Sequence, residues 1–148
     1  MLNLLTPILL LLSPIDTTKI NVNVINVQHV QTIGGRDVTF GVKETVEELL
    51  IEKGYTPNDS LGMSVQVSID SIYSPQQIVN IIGLQWLKKD YIVETTICIG
   101  TGCHKSVGVR KTFIFAAFLN VENNEVPLNR KAFSKALQES LTKTTKQL

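Results

Sequence analysis

A period of two in the apolar residues constrains this chain more than any other feature. In Met63 to Asp70, "MSVQVSID", Met63, Val65, Val67 and Ile69 alternate with Ser64, Gln66, Ser68 and Asp70. In "DYIVETTICIG" one parity runs through Tyr91, Val93, Thr95, Ile97 and Ile99. Successive strand side chains point to opposite faces, so such alternation marks a half-buried strand. Lys19 to Gln31 opens alike, with Ile20, Val22 and Val24 on one face. Its parity then changes, and Ile25, Val27 and His29 fall on the other, which a bulge near Val24-Ile25-Asn26 accounts for. A fourth strand is expected in "HKSVGVRKTFIFAAFLNV", with Val107, Val109, Phe113 and Phe115 on one parity and Ile114, Ala116 and Phe118 on the other.

Two segments carry the helical period instead. Val42, Val46, Leu49, Leu50 and Lys53 share a face, predicting a helix over 39–53. Asp37 or Thr39 can cap its start, Gly54 can take the left-handed position after its end, and Glu44, Glu47, Glu48 and Glu52 form its solvated side. At the end of the chain Asn129 can cap a helix whose inner stripe is Phe133, Ala136, Leu137, Ser140 and Leu141. The segment "QQIVNIIGLQWLKKD" reads as a short helix or as an apolar loop joining strands through Trp86. The order β-α-β-β-β-α predicts an α+β fold: an antiparallel-rich sheet of about four strands with two helices packed on one face. The 148 residues suit one domain, 19–148, preceded by an apolar arm, 1–18.

The stretches "INVNVINV", "ETVEELLIEKGY" and "MSVQVSID" resemble the YajG-type envelope lipoproteins, in which a strand, a helix ending in Gly-Tyr and a strand meander precede a terminal helix. The resemblance covers roughly residues 19–141 and implies that fold. The sequence departs from the family in having no lipid-accepting cysteine after its apolar opening.

That opening, "MLNLLTPILLLLSPID", has the apolar run of a secretion signal without its other parts. No Lys or Arg precedes the run, the first being Lys19, and no small-x-small cleavage site follows it. Pro7 and Pro14 interrupt it, and it is too short to span a bilayer. The arm is therefore expected to stay and to lie against a neighbouring subunit. Leu2, Leu4, Leu5, Ile8, Leu9, Leu10, Leu11 and Leu12, together with Trp86, are the expected assembly contacts.

Little points to chemistry. The formal net charge of +1 makes no electrostatic case for nucleic acid. Cys98 and Cys103 bracket the hairpin-like "IGTG", where they either form a disulfide or remain two free thiols. The two histidines and these cysteines fit no zinc spacing, so neither metal nor cofactor is expected. Gly100 and Gly102 lack the following helix that a phosphate loop needs and read as turn glycines. No spacing ties a nucleophile to a base, so no catalytic residue is assigned. The lysines of the last helix, with Arg130, either meet phosphate or an acidic partner or are solvated.

The function expected from these observations is structural rather than enzymatic. The leading expectation is a subunit of a larger homo- or hetero-oligomer, a ring or connector (head-tail or tail) component of a virus particle, partnered by protein and located in the virion. The alternative is an exported periplasmic or envelope protein of the YajG-like type that binds a partner protein.

Overall fold

The computed structural model describes residues 19–27, 38–60, 62–115 and 128–148. The apolar arm, 1–18, lies outside them, as do His29, Asp37 and the residues beyond Phe115 assigned to the fourth strand. Eight elements follow in order: β1 (Lys19–Val27), α1 (Thr39–Ile51), β2 (Thr56–Pro57), β3 (Met63–Tyr73), β4 (Gln76–Ile81), β5 (Leu84–Ile99), β6 (Gly102–Phe115) and α2 (Arg130–Gln147).

The expected four-strand antiparallel-rich sheet with helices on one face is not what forms. Among the described residues six strands make a mixed sheet that curls into a half-barrel, and the two helices pack against its strands and against one another. Two causes can be named. First, α1 is a crossover between β1 and β3, and a strand-helix-strand unit returns the chain parallel. β1 accordingly runs parallel to β3, from Ile20 opposite Met63 to Val27 opposite Ile69, and parallel to the two-residue β2. Second, residues 76–81 are neither helix nor loop but a strand paired antiparallel with 84–89.

β5 is the spine. At 16 residues it extends about 50 Å. β3 and then β4 occupy one of its edges in succession, and β6 follows the other from Trp86 opposite Phe115 to Ile99 opposite Gly102. The bulge expected in β1 is present as a register shift between Val24 and Asn26, and a second shift lies between Ile69 and Ser71.

The core lies between the inner side of the sheet and the helices. Val22, Val65, Val67, Val93 and Ile97 meet Val42, Val46 and Leu50 of α1 and Phe133, Ala136 and Leu141 of α2. Leu49 and Leu137 are half-buried at its margin. α1 begins at Val38 with no side-chain cap, and Gly54, at φ 91°, takes the left-handed position after its end. Asn129 caps α2 by accepting from the Ala132 N–H at 3.1 Å. The helix rests on β6 at Gly108, where a Cβ would overlap the Ala136 carbonyl and come within 2.7 Å of the Ser140 nitrogen. A buried hydroxyl cluster completes that contact. Ser140 donates to the Ser106 carbonyl at 2.9 Å and lies 2.8 Å from the Thr95 hydroxyl, so no buried oxygen here lacks a partner.

Candidate functional site

Three surface features follow from this topology. The first is an apolar β-arm. α2 begins beside Tyr91, whose hydroxyl accepts from the Asn129 N–H at 2.8 Å, and from there the helix runs toward Ser140 and Thr95. β4 and the facing parts of β5 and β6 continue the other way as a three-stranded arm. Its tip, Ile82-Gly83, has φ of 52° and 75°, the two left-handed residues of a type I′ hairpin turn. Glycine adopts this freely, whereas a β-branched residue does so at roughly 1–2 kcal/mol. Ile82 is also 97% exposed. Ile78, Leu84 and Phe113 are at least half exposed, and no charged residue occurs from Pro75 to Leu87. Trp86, the folded-domain residue expected among the assembly contacts, sits in this arm half-buried, tilted against Phe115 at 5.1 Å between ring centroids.

The second feature is the opposite end of the β5–β6 hairpin. Gly100, at φ 59°, is the first central residue of its two-residue turn, consistent with a turn glycine. Cys98 and Cys103 stand directly opposite, their Cα atoms 4.0 Å apart, and are joined as a disulfide. Cys103 is exposed, so the bond is open to reductants. Beside it on the outer side of the sheet, Lys105 lies 3.0 Å from Glu94 and 3.7 Å from Asp70. Asp70 also accepts from Thr96 at 2.6 Å and Ser68 at 2.7 Å. The Ser71 hydroxyl beside it, then the Lys105 ammonium, hold the Glu94 carboxyl below its usual range; Glu94 in turn raises Lys105. Among the described residues no three His, Cys, Asp or Glu side chains gather as a metal site.

The third feature is a basic groove along the flank of α2. Two adjoining hollows of about 420 Å³ each share Arg110 and Lys135, one extending to Lys111 and Lys131, the other to Lys143 and Lys146. The α2 lysines recur three, four or eight residues apart and so occupy one side of the helix. Their periodicity is visible in the sequence; their meeting with Arg110 is not, because it depends on how α2 lies on β6. The leucines and isoleucine expected as arm contacts, residues 2–12, lie outside the described residues.

No protein family matches the chain. No curated protein matches it either. In fold the chain is similar to the crystal structure of a minor lipoprotein from Acinetobacter baumannii, with 14% identity and a TM-score of 0.43 over 90% of this chain and 89% of that one. The resemblance to envelope lipoproteins is thus a weak likeness of fold, and at that score it carries no argument on function. No helix among the described residues is long and apolar enough to cross a membrane.

Proposed function

We propose that this chain is an exported envelope protein that works by binding a partner protein. The Cys98–Cys103 disulfide carries the reading. Cytosolic thiol pools reduce accessible disulfides, whereas the periplasm and extracellular space keep them. The apolar β-arm supports the binding half, because soluble proteins rarely leave contiguous apolar surface without a use for it. The virion ring or connector reading gains no observation of its own. A subunit that folds in the cytoplasm before assembly would hold both thiols reduced, so one measurement separates the two.

That measurement is alkylation of the protein recovered from its native cells after acid quenching, before and after reduction, with fractionation of the same cells. The expected result is no labelled cysteine before reduction, two after it, and protein in the envelope fraction. Two cysteines labelled at once, in protein from the cytoplasmic fraction, overturns the proposal.

A further inference from the structure

We infer that the groove between β6 and α2 receives an extended segment of a partner protein in which acidic and apolar residues alternate, added as a further strand on the β6 edge. The inference rests on the partner-binding half of the function proposed above and is independent of export.

The edge comes first. β6 pairs with β5 and with no other strand among the described residues. In an antiparallel ladder the opposed pairs alternate, and the closer pairs, near 4.5 Å, are those that exchange no hydrogen bonds. The 4.0 Å between Cys98 and Cys103 therefore marks a non-bonded pair. By the period of two, the backbone N–H and C=O groups of Val107, Val109 and Lys111 also point away from β5. Lys143 agrees, since its ammonium reaches the Val107 carbonyl from outside at 3.2 Å. Among the described residues no backbone group bonds to this edge. A row of outward N–H and C=O groups is the template on which a peptide strand is added.

Charge selects the occupant. Arg110, Lys131, Lys135, Lys143 and Lys146 line the two hollows against a single acid, Glu139. Glu139 lies 2.8 Å from Lys143 and 3.3 Å from Arg110, so one carboxylate is shared by two cations and the rest of the stripe is uncompensated within the groove. A second copy presenting its own β6 would bring like charges together, which is how natural edges exclude self-pairing. An acidic strand meets the opposite field. The groove is also concave, a hollow between strand and helix, and suits a single chain better than a plane of lipid headgroups.

Alternation follows from the geometry of an added strand. Its side chains on the α2 side meet the lysine stripe. Those on the other side lie next to Val107, 37% exposed, and Phe113, 50% exposed, on the outer side of β6. Acidic residues suit the first set and apolar residues the second.

The test uses the full-length oxidised protein and a fluorescent peptide of about eight residues alternating Glu with Val, a length matched to the edge at ~3.3 Å per residue. Binding is read by anisotropy, and hydrogen exchange is followed at the Val109 and Lys111 amides. The expected results are saturable binding, slowed exchange at both amides, and affinity about tenfold weaker in about 0.5 M salt. The double variant Lys131→Glu, Lys135→Glu changes two exposed positions and should weaken binding by at least as much while its circular dichroism is unchanged. A peptide N-methylated at every amide, which has no N–H donor left on either edge, should not bind. Equal binding of the methylated peptide overturns strand addition. Unchanged affinity in the folded double variant overturns the groove as the site. Flotation with phosphatidylglycerol vesicles without peptide binding overturns the protein partner in favour of a lipid. None of these outcomes alters the alkylation result, so failure here and failure of the export reading remain distinguishable.

Discussion

Replacing Gly108 with alanine tests how α2 is seated on the sheet. The added Cβ would overlap the Ala136 carbonyl oxygen and stand 2.7 Å from the Ser140 nitrogen and 2.9 Å from the Ala136 carbonyl carbon, all backbone atoms that no rotamer change can move aside. Bringing the Ser140 nitrogen alone from 2.7 Å to an ordinary 3.4 Å lifts the helix by 0.7 Å, and the carbonyl oxygen demands more. Overpacking of this kind costs roughly 1–3 kcal/mol. The lift also stretches the bonds of Ser140 to Ser106 and Thr95, at 2.9 and 2.8 Å, each worth about 1 kcal/mol in a buried setting. Gly108→Ala should therefore lose about 3–5 kcal/mol, read as a lower urea midpoint at unchanged slope. Gly41→Ala is the matched control. Gly41 lies inside α1 with nothing within 4 Å of its missing Cβ, and alanine there should gain about 0.5–1 kcal/mol from helix propensity. A loss at Gly108 within about 0.5 kcal/mol would refute the close seating of α2 on β6.

Glu94→Gln tests the outer-face ion network. The Glu94 carboxyl is lowered in the folded state, first by Ser71 and then by Lys105, so it stabilises the fold when ionised, above its unfolded value, and that contribution is lost as pH falls through the folded value. The variant should be less stable than the parent at neutral pH and equal to it well below the usual carboxylate range; a difference that persists in acid refutes the assignment. Cys98→Ser with Cys103→Ser opens a loop with a sequence separation of five, for which chain entropy predicts a loss of about 2 kcal/mol. Thermal unfolding of the oxidised parent and the double variant checks this, and equal melting would mean that the bridge constrains nothing in the unfolded chain.

Much of the fold was legible where one side of an element is apolar and the other polar. The alternation of Met63 to Asp70 and Tyr91 to Ile99, the bulge in β1, the Val42–Val46–Leu50 stripe and the Asn129 cap all stand in the structure as read. The segment 76–81 was not legible, because Ile78, Val79, Ile81 and Ile82 follow one another without a period and Ile82-Gly83 lacks the asparagine or aspartate that usually announces such a turn. The parity of Val107, Val109 and Phe113 read as one apolar face, and it is the outer side of the sheet. The side toward α2 carries Ser106 and Gly108, small residues, because the helix backbone comes so close. Parallel pairing of β1 with β3, and the meeting of Arg110 with the α2 lysines, depend on contacts distant in sequence that no local pattern records.

The spine position of β5 also sets an order of events in folding. β4–β5 and β5–β6 are hairpins with two-residue turns, and β3 pairs with β5 just beyond β4, so these four strands close short loops and form early. β1 has only the two-residue β2 as a partner until β3 exists, and both parallel pairings span the whole of α1. The N-terminal third of the domain is thus translated first and folded last, and while it waits Val22, Val42, Val46 and Leu50 have no core to enter. The expectation is a transition state with β5 and β6 formed and α1 still loose. Changes such as Val93→Ala should slow folding, while Val46→Ala should mainly speed unfolding. A chain crossing a membrane unfolded, amino end first, would expose those residues throughout its passage, a window in which a holding chaperone has something to grip.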